Sequence, residues 1–95
     1  MAQTLPDIEI ADNWVSLNDT AGISIGDGMI IHNKSTTWIL LQESAIQPTA
    51  DSKDGVFLTD LYHTEPSKIA QAGSLEIWAK SSIAGRKATI SVQPL

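Results

Sequence analysis

The stretch "IIHNKSTTWILLQE" at residues 30–43 constrains the fold more than any other part of the chain. Two apolar runs flank a short polar break. Trp38, Ile39, Leu40 and Leu41 are apolar at every position. Side chains alternate along a strand, so a strand built from them is apolar on both faces. A chain of 95 residues has room for one core, because a domain of this size buries only about two thirds of its unfolded surface. One face of the strand meets that core, and something else must cover the other. The chain has no cysteine, so disulfides, thiolate metal ligands and cysteine nucleophiles are excluded. Stability has to come from packing and from association.

The remaining sequence reads as further strands. No window of a dozen residues holds apolar positions at i, i+3, i+4 and i+7. Short β-branched and aromatic runs recur instead, separated by Gly, Asn, Asp, Ser and Pro. The alternation predicts strands over 13–18, 23–25, 29–33, 37–43, 55–62, 73–80 and 87–93, with a weak edge strand over 67–71. Turns fall at 19–22, at the Gly-Asp-Gly of 26–28, between 33 and 37, and at 81–86. Two longer loops cover 44–54 and 63–68. Seven to eight short strands at this spacing predict an all-β fold, a small antiparallel sandwich or barrel. Residues 1–12 are polar and irregular, and are expected to form an N-terminal arm outside a single β domain of residues 13–95.

Charge and motifs narrow the function classes. The net charge is −5, with only six Lys and Arg, which argues against nucleic-acid binding. No apolar stretch approaches the roughly 18 residues of a membrane-spanning helix. The first residues show no basic and apolar leader pattern, so a cytosolic origin is the expectation. His63 lies near Asp60 and Glu65, a donor set that suits zinc or manganese, but three polar residues in a loop are as readily a solvated loop. His32 falls within a strand and reads as a half-exposed sheet residue. "DSKDG" at 51–55 lacks the acid spacing of a calcium loop. "GISIGDG" at 22–28 lacks the helix of a phosphate loop. The triplets at Asn18 and Asn33 match the glycosylation acceptor pattern by chance. No histidine has a context that marks it as the base for a serine. The expectation is a protein that is not an enzyme and uses no cofactor or metal.

The aromatic residues are more informative. Trp14, Trp38 and Trp78 each occupy the face opposite the apolar set of their own strand, as does Phe57 beside Val56 and Leu58. A core of Val15, Leu17, Ile39, Leu41, Leu75, Ile77, Ile90 and Val92 leaves these rings outside it. Either parts of the chain cover both faces, or the rings form a patch that a partner covers. Trp14, Trp38, Leu40, Phe57 and Trp78 are therefore the candidate interface residues.

The stretch "GISIGDGMIIHNKSTTWILLQESAIQPTADSKDGVFL", with the later "AGSLEIWAKS" and "ISVQP", resembles small β-rich virion proteins of tailed bacteriophages. The resemblance is one of cadence over residues 13–93 and includes no catalytic motif. It implies a structural virion component assembled in the host cytoplasm, either a capsid decoration (cement) protein or a part of the tail or of a head fibre. It also implies a homo-oligomer, commonly a trimer, seated on the major capsid protein or another virion protein. The alternative is a carbohydrate-binding or adaptor module of a tail or head fibre, in which aromatic rings stack on sugars.

Overall fold

A computed structural model describes residues 4–49, 51–52, 54–59, 67–83 and 85–95. The described residues form eight strands and one short helix. Strand β1 spans Ile8–Ile10 and β2 spans Val15–Ser16. Helix α1 spans Leu17–Ala21. Strands β3 (Met29–Asn33), β4 (Ile39–Glu43), β5 (Val56–Leu58), β6 (Ser67–Ala70), β7 (Ile77–Ser81) and β8 (Ala88–Pro94) follow. They make two four-stranded antiparallel sheets, ordered β1-β8-β3-β6 and β2-β7-β4-β5.

The sheets face each other across one core. Ile8, Ile10, Met29, Ile31, Ile90 and Val92 come from the first sheet, and Ile39, Leu41, Leu58, Ile77 and Ala79 from the second. Ala88, Ile90 and Val92 point inward as their spacing predicts. The all-β sandwich expected from the alternating pattern is the observed architecture.

Four expectations are corrected. Residues 8–10 belong to the domain rather than to an arm. Ile8 and Ile10 alternate with Glu9, are buried, and pair β1 with β8. Two apolar residues in a polar context gave too little signal, yet one strand turn of the right parity is enough to fill a core edge. Upstream of β1, the Leu5 amide donates to Gln93 Oε1 at 2.8 Å and the Leu5 carbonyl accepts from Gln93 Nε2 at 3.0 Å. The second correction concerns 13–18, where only Val15 and Ser16 are extended. Ser16 caps α1, its hydroxyl accepting from the Asp19 amide, and Gly22 ends the helix in the left-handed conformation. A Ser with Asp three residues later and a Gly beyond is a capping signature, and it outweighs the local alternation.

The third is 23–25, which forms no strand. Asn18, buried inside the chain, donates its amide to the Ile23 and Ser24 carbonyls and accepts from the Ile77 amide. That side chain takes the backbone partners that a neighbouring strand would otherwise supply. Finally, Leu75 is half exposed instead of sitting in the core, because β7 starts only at Ile77 and the Leu75 amide is held by Glu43 Oε2. The 55–62 strand is extended over Val56–Leu58, and its residues 60–62 lie outside the described residues.

Candidate interaction face

The outer face of the second sheet gathers every aromatic residue that the alternation placed outside the core. The register sets Leu40 between Phe57 on β5 and Lys80 on β7, and Gln42 opposite Trp78. Trp38, two residues before Leu40, and Trp14, two before Ser16, extend the same face. The sequence therefore predicts the face correctly, but its residues are not equally available.

One half is covered by the chain itself. Trp14 is 3% exposed and Leu40 is 2% exposed. The loop after β4 supplies the cover. The Trp14 indole donates to the Thr49 carbonyl at 3.0 Å, and Gln47 Nε2 donates to the Trp14 carbonyl at 3.3 Å. The Trp78 indole donates to the Ser44 carbonyl at 3.0 Å. Ser52 Oγ ties the far end of the loop to Gln42 Oε1 at 3.2 Å. The Lys80 ammonium stands 5.0 Å from the centre of the Trp14 ring, a cation–π contact in a shielded place. Indole N–H groups need partners once buried, and here loop carbonyls meet that need. Of the five candidate interface residues, Trp14 and Leu40 are thus internal packing, and Trp78 is half-buried under the loop.

The other half is open. Trp38 is 39% exposed and Phe57 is 53% exposed. Their rings meet edge to face, 6.1 Å between centres and 61° between planes. They sit diagonally across β4 and β5, a spacing that long aromatic side chains bridge. The Trp38 carbonyl accepts from both the amide and the hydroxyl of Ser82 on the β7–β8 turn. Asn33 fixes the β3–β4 turn beneath them. It is fully buried, donates to the Thr37 and Thr59 carbonyls, and accepts from the amide and hydroxyl of Ser35. The Asn18 and Asn33 side chains of the acceptor triplets are both consumed by such internal bonds.

Beside this pair lies a feature the alternation did not reveal. Val56 has the inward parity of Leu58 but is 45% exposed. It borders a cleft of ≈ 420 Å³ between the edges of the two sheets. The buried side chains Ile31, Leu41 and Ile77 line the cleft together with Lys68, Ile69 and Ala70 of β6 and with the polar Gln42, Glu43, Gln71 and Ser74. The legible signal was "VFL" itself, a run apolar at every position like "WILL". Gly55 sets the entry to this strand at φ 119°, and a Cβ there would stand 2.0 Å from the Leu41 carbonyl oxygen.

His32 is half-buried on the outer face of the first sheet, with Nδ1 2.7 Å from Ser67 Oγ. Asp60, His63 and Glu65 lie outside the described residues. Comparison of the chain with protein-family models, with curated proteins and with solved structures finds no significant match.

Proposed function

We propose that the chain is a non-enzymatic structural protein of a tailed-phage particle, a capsid decoration subunit that seats on the shell through the Trp38 and Phe57 corner. The observation that carries the reading is the unequal cover of one sheet face. The chain shields Trp14 and Trp78 with its own loop but leaves Phe57 on β5 and Trp38 just before β4 exposed. A sandwich with a fixed aromatic corner suits a role in which two rigid surfaces meet, since ordered aromatic groups bind at little entropic cost. The acidic surface keeps such a protein away from packaged nucleic acid. The phage assignment itself rests on the cadence of residues 13–93.

Undecorated shells of the cognate phage, mixed with the protein and sedimented, test the reading. Wild type co-sediments and appears at symmetric positions in images of the shells. Trp38→Ala, folded as wild type, loses binding. A Trp38→Ala protein that binds as tightly as wild type ends the reading. The same corner also supports carbohydrate binding. The 61° between the ring planes means that a sugar stacked on one ring meets the other edge-on, so this second reading requires a single-ring site. Quenching or a shift of Trp38 emission by an oligosaccharide, without shell binding, would favour it.

A further inference from the structure

Among the described residues strand β5 forms one outer edge of its sheet, with Val56 exposed on its inner face and Phe57 on its outer face, while Leu58 is buried in the chain's own core. Phe57 and Trp38 lie on the outer side. Val56 and the cleft lined by Ile31, Leu41 and Ile77, and also by Glu43 and Lys68, lie on the inner side. A strand laid against this edge would meet both sides at once. Side chains of one parity would close the cleft, and those of the other would cover the rings. Such a strand has to be apolar at three successive positions. Val56-Phe57-Leu58 is such a sequence.

We propose that two copies of the chain join by antiparallel pairing of β5 with β5, on a two-fold axis at Phe57. Phe57 of one copy lies opposite Phe57 of the other, with Val56 opposite Leu58, and the four-stranded sheets merge into one of eight strands. The pairing rests on the reading of the Trp38 and Phe57 corner as an association surface, and names its partner. Protection of the edges supports it. Natural edge strands carry charge, proline or a bulge against such pairing. On β6, Lys68 is exposed, and on β1, Glu9 pairs with Lys87 at 3.5 Å. Residues 55–59, "GVFLT", hold neither charge nor proline. Two copies of net charge −5 repel each other elsewhere, so a self-complementary strand that itself carries no charge is where they can meet. Asp54 borders the seam and limits its length. A strand of three residues with two rings covers less than the ~800 Å² per partner of a standard interface. The dimer is therefore concentration-dependent, and added salt strengthens it by screening the repulsion.

Light scattering and sedimentation velocity over about a hundredfold range of protein concentration, at low and high salt, test the pairing. The expected mass rises from 10.2 kDa towards twice that value, at lower concentration in high salt. Phe57→Lys and Val56→Lys each weaken association about tenfold or more, with circular dichroism and melting close to wild type. Two variants are used so that one that misfolds leaves the other informative. A wild type that stays monomeric throughout overturns the pairing, as does a plateau at three copies. So does either folded Lys variant dimerising as wild type does. A monomer that still binds shells through Trp38 ends the pairing and keeps the shell reading, whereas a dimer that ignores shells does the reverse.

Discussion

Trp14 and Trp38 start from the same position in the design of this molecule. Each points away from the core on the outer face of one sheet, and each immediately precedes a short strand of that sheet. Yet Trp14 is closed off, its indole bonded to Thr49, while Trp38 stands in solvent against Phe57. The difference lies in the loop between β4 and β5. Its described residues fold back over the β2 and β7 side of the sheet, while Val56 and Phe57 on β5 stay exposed. An aromatic residue outside a core is thus no docking signal by itself. It becomes one only where the chain leaves much of the ring exposed. The second face of the "WILL" strand has a divided answer: the chain covers Leu40 and leaves Trp38 39% exposed.

Substitution on the two sides should separate them. Trp14→Ala is expected to have the largest effect, about 3–5 kcal/mol of lost stability, because it removes a buried aromatic ring and its bond to the Thr49 carbonyl. Chemical denaturation measures it directly. A loss similar to that of an exposed ring would break the comparison, since it would mean the loop does not hold its place over Trp14 in solution. Gly55→Ala comes next. Its Cβ would press on the Leu41 carbonyl at a positive φ, so backbone has to move. A loss of roughly 2–3 kcal/mol is expected, with the β5 edge displaced and the Trp38 emission altered.

Much of this was legible beforehand, and the exceptions share a cause. The period-2 runs located β3, β4 and β8, because each strand there runs for five to seven residues and carries two or three inward apolar side chains. The placement of Trp14, Trp38, Phe57 and Trp78 on one outer face also follows from alternation. Three things did not follow. β1 has only Ile8 and Ile10 to announce it, and its identity depends on pairing with β8, some eighty residues away along the chain. α1 is a single capped turn, held by Ser16 and by the long-range bond from Ile77 to Asn18. The cover over Trp14 is made by loop carbonyls, which every sequence possesses, so no residue type marks it. Alternation reports which face a side chain takes. It does not report whether a distant loop comes to lie on that face.

The loop can be loosened with a lighter touch. Gln47→Ala removes the bond to the Trp14 carbonyl without touching an aromatic ring. The expected cost is about 0.5–1.5 kcal/mol, the net worth of one hydrogen bond. The more telling readout is acrylamide quenching. In wild type the quenchable emission should come mainly from Trp38, and in the Gln47 variant Trp14 should become accessible too. If quenching is unchanged, the Thr49 and Ser44 bonds alone hold the loop down.

The smallest expected effect on stability is the most discriminating for function. Phe57→Ala removes a ring that is about half exposed, together with its edge-to-face contact with Trp38. Such aromatic contacts are worth about 0.5–1.5 kcal/mol, so the melting temperature should fall by only a few degrees. Association should fall far more, because a ring at the centre of an interface dominates its energy although it adds little to the free monomer. The ratio of the two losses is therefore the quantity to measure. A large stability loss with unchanged association would make Phe57 a packing residue like Trp14 and move the open corner into the fold. A small stability loss with lost association would place the working surface of this protein where its own loop stops short.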